Sequence, residues 1–476
     1  MTTLLSEPEN SLSRSGSAVA VASSRHRDPR LAAGELAAAL RHDTLGSVLF
    51  FCSAEYDLEA LGPALQQAFG PVTVCGCTSA GEITPQGYER GSITAIGFDR
   101  RWFAVSSALI RELDDFSLQD AQGVIDRLLA DCRRGLAPVR DNTFAMTLLD
   151  GLSSREELVL ATLNAALGAI PQFGGSAGDD ERLANTHVYH EGRFYARSAV
   201  VLLVNTPLSF QVFSTHHLEP AEGKLVVTAA DSETRTVHEL NAEPAAAAYA
   251  RAIGVAESDL SRDLFALRPM AVCIGGQYFA RSVQRVNGDG SLTFYCAVET
   301  GIVLTPMKPG SLQQNLRQRL EAAEAEVGEP LITIGCDCFL RRLEAEVLGQ
   351  ADTVSRFLQD HRVTGFNTYG EQFQGVHLNQ TFTGLAMTAG GGRDCAGTTI
   401  TRGNRAGRQG DPAGAGKCAP VQDPGCPDQS CGVRLRPDAG SLRDFRAFSG
   451  ACRAGSGAYG SAQSGHGRSA GEQSGA

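Results

Sequence analysis

Near Gly390 this 476-residue chain changes character, and the change limits where a fold can form. From Gly390 to Ala476 there are 20 glycines and 5 cysteines, but only 5 residues of Val, Ile, Leu or Met and 3 aromatics. So little apolar surface cannot offset the entropy lost on ordering the backbone, so residues 390–476 are expected to be a disordered tail. The charge inverts there too: 11 basic against 7 acidic residues, in a chain whose net charge is −11. Gly, Ala, Arg and Pro dominate the tail, and five exposed thiols would be prone to oxidation. A frameshifted reading of GC-rich DNA accounts for both, with a genuine disordered tail as the alternative. Residues 1–24, rich in Ser and without periodicity, are expected to be disordered as well.

The body between them alternates apolar runs of strand length with segments of helical spacing. Ser47–Cys52, Val72–Cys77, Ser92–Phe98, Phe103–Leu109 and Thr143–Leu149 read as strands. Leu31–Leu40, Leu58–Phe69, Leu118–Arg133 and Ser153–Leu167 read as helices, the last capped by Ser153 or Ser154 with Glu157 behind it. Thr186–His190 and the segment from Arg193 read as a hairpin across Glu191-Gly192. A helix from Pro244 to Ile253, strands around Asn287-Gly288-Asp289-Gly290, and a helix over Leu312–Val327 continue the pattern. Leu331–Cys336, Gly365–Tyr369 and His377–Met387 are expected strands. The fold class is therefore α/β, with a mixed sheet and two domains, residues 25–240 and 241–389.

Charge and hydropathy exclude several functions. A net charge of −11 argues against nucleic acid or an anionic membrane as the partner. No run approaches the roughly 18 apolar residues of a membrane span, and the N-terminus has no apolar signal region, so a cytoplasmic protein without membrane insertion is expected. Thirteen cysteines, an odd number without a secretory signal, argue against a disulfide framework.

Candidate chemistry is sparse. Gly174-Gly175-Ser176-Ala177-Gly178 fits the nucleophile-elbow pattern, which needs a helix directly after the serine. Here Asp179-Asp180 follow, so a tight glycine turn at a close backbone approach is the preferred reading. Cys75-Gly76-Cys77 and Cys336-Asp337-Cys338 each place two thiols on one face of a strand. Four thiolates brought together would suit zinc or iron–sulfur, although cysteine at the end of an apolar strand more often packs as a small hydrophobe. Asp114-Asp115 and Asp179-Asp180 are adjacent, and adjacent side chains diverge, so neither is an acid–base couple. No phosphate-binding glycine loop opens a helix, and no catalytic constellation emerges, so the chain is not expected to be an enzyme. Of the body's histidines, His238 lies at the expected domain boundary, His217 follows the apolar run Leu208–Phe213, and His377 alternates with Val376 and Leu378.

Four segments carry a family resemblance. Val74-Cys-Gly-Cys-Thr-Ser-Ala-Gly-Glu-Ile83, Gly174-Gly-Ser-Ala-Gly-Asp-Asp180, Val237-His-Glu-Leu-Asn-Ala-Glu-Pro-Ala245 and Gly365–Gly384 follow in the order found in FIST domains, bacterial sensory modules. Cys336-Asp-Cys-Phe-Leu-Arg-Arg-Leu-Glu344 and the Gly370-Glu-Gln segment resemble the nitric-oxide-sensing, NosP-like branch. That resemblance implies haem b with an axial histidine, nitric oxide as the signal, and a histidine kinase as the partner. His238 is the expected iron ligand, with His217 and His377 as further candidates; a homo-oligomer is left open. The alternative is a FIST module that senses a small molecule such as an amino acid without haem.

Overall fold

The computed structural model describes residues 17–132 and 135–388. Residues 1–16 and the tail from 390 lie outside that range, and with them the expectations for those segments. Among the described residues no helix is long and apolar enough to cross a membrane.

In chain order the first stretch comprises β1 (Val19–Ser24), α1 (Pro29–Leu40), β2 (Leu45–Ser53), α2 (Leu58–Phe69), β3 (Thr73–Ser79), β4 (Glu82–Thr84), β5 (Gly87–Glu89) and β6 (Ile93–Asp99). The second comprises β7 (Ala104–Arg111), α3 (Leu118–Cys132), α4 (Val139–Asn142), β8 (Thr143–Leu149), α5 (Glu156–Leu167), β9 (Gln172–Ser176), β10 (Val188–His190), β11 (Arg193–Tyr195) and β12 (Ser198–Asn205). The third opens with β13 (Ser209–Thr215), is interrupted by residues 218–309, and resumes with α8 (Leu312–Val327). It ends with β23 (Pro330–Cys338), α9 (Phe339–Val347), α10 (Ala351–Asp360), β24 (Val363–Thr368), β25 (Glu371–Phe373), β26 (Val376–Leu378) and β27 (Phe382–Thr388). The interruption holds nine short strands, β14 (Leu218–Pro220) through β22 (Val303–Pro309), and helices α6 (Ala245–Ile253) and α7 (Arg262–Leu267).

These three stretches build three six-stranded sheets on one plan. Each has a single parallel pair at its centre: β2–β3, β8–β9 and β23–β24. Antiparallel strands extend it on one side, in the orders β1-β6-β2, β7-β12-β8 and β13-β27-β23. On the other side each sheet is completed by a hairpin from a different stretch. The hairpin β10–β11 joins β3, β25–β26 joins β9, and β4–β5 joins β24, a closed cycle of exchange. The mixed α/β sheet architecture matches the sequence expectation.

The apolar patterning explains the layering. Strands buried on both faces read as continuous apolar runs, which is why Ser47–Cys52 and Thr143–Leu149 are legible from sequence. Their inner faces meet in one central core that includes Leu49, Phe51, Phe144, Met146, Ile334, Phe366 and Leu385, one set from each sheet. The outer faces are covered in turn by α1 and α2, by α3 and α5, and by α8 and α10. In α2 the buried Leu61, Leu65 and Phe69 recur every four residues, the stripe a surface helix needs.

Two local expectations need correction. Val19–Ser24, expected to be disordered, forms β1 and pairs with β6 along its whole length. Helix α5 starts at Glu156 and has no side-chain cap; the Ser153 hydroxyl instead accepts from the Arg155 amide.

Candidate functional site

At the carboxyl ends of the three parallel pairs the chain makes the same turn: a hydroxyl residue, one further residue, a glycine and an acid. The turns are Ser79-Ala80-Gly81-Glu82, Ser176-Ala177-Gly178-Asp179 and Thr368-Tyr369-Gly370-Glu371. They lean on one another through their backbones. The Ala80 amide donates to the Asn367 carbonyl at 2.8 Å, Ser176 to Gly370 at 2.8 Å, and Gly178 to Thr78 at 3.0 Å. Glycine is required by this closeness: a Cβ on Gly178 would lie 2.6 Å from the Ala80 nitrogen. The expected close glycine turn is therefore present. Ser176 is buried, bonds the Glu156 carboxylate, and is followed by no helix, so it is not a nucleophile elbow.

The three acids face inward to different degrees. Glu82 accepts from the Ser92 amide at 3.0 Å and its hydroxyl at 2.7 Å, and also from Ser79. Glu371 repeats this with Thr381 at 3.1 and 2.8 Å, and with Thr368. Burial raises Glu82 to about 7 and Glu371 to about 8, against the lowering effect of those hydrogen bonds. Asp179 instead takes the amides of Leu183, Ala184 and Asn185 at 2.7–2.9 Å, which shapes the loop that follows.

Beside these turns opens a polar cleft of about 390 Å³, lined by Arg25, Arg27, Glu55, Arg90, Gly91, Asp180 and Arg182. Glu55 follows β2 and Asp180 follows β9, so the cleft sits where ligands of open α/β sheets bind, outside the carboxyl ends of the strands. Asp179 and Asp180 do diverge, as adjacency predicts: Asp180 turns to the cleft with φ of 61°. Its Oδ1 is buried without a hydrogen-bond partner, and burial raises its affinity for a proton against the opposing charges of Arg342 and Arg90. Arg182 pairs with Glu55 at 3.1 Å, and Arg90 with Glu346 at 3.0 Å and Glu181 at 3.2 Å. Arg25 pairs with Glu89, whereas Arg27 has no ion pair among the described residues. Four segments distant in sequence supply this lining, so no linear motif announces it; the Asp-Asp after the glycine turn was the available signal.

The loop from Asp179 to His187 separates this cleft from a second cavity of about 340 Å³, lined in part by Asp150, Ser153, Asn185, Thr186, His187 and Arg197.

The histidines singled out from sequence stand apart from the cleft and from one another. His238 is exposed on the strand Thr236–Leu240, beside the carboxylates of Asp231 and Asp289. His217 is buried with both ring nitrogens engaged, Nε2 to Glu344 at 2.6 Å and Nδ1 to Arg341 at 2.8 Å. Burial lowers its proton affinity, against the raising effect of the Glu344 bond. Arg341 bonds Asp337 at 2.7 Å, so the Cys336–Glu344 segment builds a buried polar network in the third sheet. His377 is buried too, with Nδ1 3.7 Å from Glu156 and no hydrogen bond to either nitrogen. Its ring abuts the backbone: a Cβ on Gly370 would be 2.0 Å from its Cε1. An axial haem ligand projects from an apolar wall onto an open face. One of these rings is sealed in an ion network, one is pressed on backbone, and one stands among carboxylates in solvent, so none fits haem.

The cysteines pack. Cys75, Cys77 and Cys336 belong to the central core, and burial holds their thiols well above the ordinary range, Cys75 to about 12. Cys77 does lie near Cys52 and Cys336, yet among the described residues no three His, Cys, Asp or Glu side chains are placed to hold a metal ion.

Comparison with known proteins divides the chain near residue 244. Residues 46–243 match the FIST N domain and residues 245–374 the FIST C domain. No curated protein matches the chain. Both domains are present in sequence order and together take in more than half of the chain, so it belongs to the FIST family of sensory signal-transduction modules.

Proposed function

We propose that the chain senses a small polar molecule, an amino acid, bound without haem in the cleft beside the three turns. The unpartnered buried Oδ1 of Asp180 carries this reading. A buried carboxylate oxygen without a donor costs about 1–3 kcal/mol, and an ammonium group bound there would remove that cost. Arg27, free of ion pairs among the described residues, stands on the same cleft to receive a carboxylate. A cleft of about 390 Å³ lies within the usual range for small-molecule sites. Since Asp180 adjoins the turns that join all three sheets, occupancy would favour one arrangement of those turns, and a partner protein would read it. The sequence likeness points to a histidine kinase as that partner.

Haem and nitric oxide form the second reading, favoured by the likeness of Cys336–Glu344 and of the Gly370-Glu-Gln segment. Thermal-shift measurements on the full chain with the common amino acids, beside a ferrous-haem titration followed by absorption, separate the two. The proposal expects a saturable stabilisation by an amino acid that Asp180→Asn abolishes while leaving the unliganded melting temperature within a few degrees. A stoichiometric Soret band that shifts with nitric oxide, together with indifference to every amino acid, would overturn it.

A further inference from the structure

The cleft's lining contains no aliphatic or aromatic side chain. Four guanidinium groups, Arg25, Arg27, Arg90 and Arg182, face two carboxylates, Glu55 and Asp180, an excess of two positive charges. We infer that the ligand is an amino acid with an acidic side chain, such as glutamate or aspartate, held by charge at both ends. This rests on the amino-acid reading above and specifies its ligand class.

An α-ammonium matches Asp180 and an α-carboxylate matches Arg27, which uses one charge of each sign and leaves Arg25, Arg90, Arg182 and Glu55. Arg182 and Glu55 already neutralise each other at 3.1 Å, both about half exposed. Arg25 and Arg90 have their partners, Glu89, Glu181 and Glu346, outside the cleft lining. Arg25 holds the buried carboxylate of Glu89 and stays with it. The pairs of Arg90 with Glu346 and Glu181 are partly exposed and contribute little, so turning that guanidinium to a ligand carboxylate costs little, whereas a forked guanidinium–carboxylate contact inside a cleft is strong. Gly91 next to Arg90 keeps the backbone side open: a Cβ there would meet only the Glu55 Oε2, at 3.6 Å. An apolar side chain would find no apolar surface to bury against, and a cationic one would face the surplus guanidinium charge. Discrimination therefore comes from unmatched charge rather than from shape.

Calorimetric titration of the full chain tests this with L-glutamate, L-aspartate, L-glutamine, L-leucine, L-lysine and glutarate. Glutamate or aspartate should bind at least tenfold more tightly than glutamine, and leucine, lysine and glutarate more weakly still. Binding should weaken as salt is raised. In Arg90→Gln the preference for glutamate over glutamine should collapse toward unity while glutamine still binds. Equal affinity for glutamine or leucine would overturn the acidic class and leave the amino-acid reading standing. Binding of glutarate as tight as that of glutamate would overturn the role of the ammonium, and silence from all the amino acids would overturn both.

Discussion

Glu82 and Glu371 show how strongly one buried group can set the response of this molecule to pH. Both side chains are fully buried, and each is ringed by hydroxyl and amide donors that are the same in kind. Their folded-state values of about 7 and about 8 lie above the ordinary 4.5, so between those limits the folded chain holds protons that the unfolded chain has released. Stability from these groups is complete below about pH 4.5 and is lost as pH rises toward 7 and 8. Glu157 acts in a different window. Its burial is outweighed by the charges of Arg235 and His377, which hold it at about 2, so its contribution is lost only as pH falls below about 4.5. In urea titrations between pH 5 and 8 each buried glutamate should therefore remove about 3 kcal/mol by the upper end, against the opposite slope of His187, His190, His216 and His217, whose burial lowers their proton affinity. Glu82→Gln and Glu371→Gln should each shift the slope of stability against pH toward the positive by that share, and the double variant by about the sum of the two. An unchanged slope in both single variants would mean that these carboxyls ionise freely in the fold.

At the level of elements, the turns are tight because glycine permits backbones to touch. Gly178→Ala places a methyl 2.6 Å from the Ala80 nitrogen and should destabilise by about 1–3 kcal/mol. Gly34, in the middle of α1 with nothing within 4 Å, is the opposite case, and Gly34→Ala should stabilise by about 0.5–1 kcal/mol. Melting temperatures moving in opposite directions would verify both. Much at this scale was legible in the sequence: Thr143–Leu149 and Leu312–Val327 have their expected bounds because an apolar run and a charged amphipathic pattern each dictate one element. Other features were hidden for physical reasons. The start of α5 looked capped by serine, but Ser153 is drawn off to the Arg155 amide. Strand β1 is built on a short apolar run, Ala18–Ala22, set in a serine-rich stretch, and pairing with β6 places it in the core. Two of the turns share Ser-Ala-Gly, and the third, Thr368-Tyr369-Gly370-Glu371, keeps the glycine and the classes of hydroxyl and acid, which over four residues is too little to announce a repeat. The arginines of the cleft come from separate segments, and folding alone assembles them.

For the whole molecule, the exchanged hairpins decide what can fold alone. The FIST N segment contributes β4–β5 to a sheet whose centre, β23–β24, lies in the following segment, and it receives β25–β26 on β9 in return. It also supplies only two of the three inner faces that close the central core. Residues 25–240 expressed alone would leave β9 with an open edge and Phe51, Phe144 and Phe173 without the third sheet, which includes Phe366 stacked on Phe51 at 4.2 Å. Such a fragment exposes a large apolar surface and unpaired strand edges, the conditions for a compact but fluctuating state or for aggregation. It should bind a hydrophobic dye, lack a sharp thermal transition and digest rapidly, whereas residues 17–388 should melt in one cooperative step seen alike by near-ultraviolet and far-ultraviolet circular dichroism. A dispersed, sharp spectrum of amide resonances from the isolated fragment would refute the interdependence. The same closure bears on signalling: with each sheet completed by its neighbour's hairpin, a shift at any one turn is shared by two sheets at once, and the cleft lies against those turns.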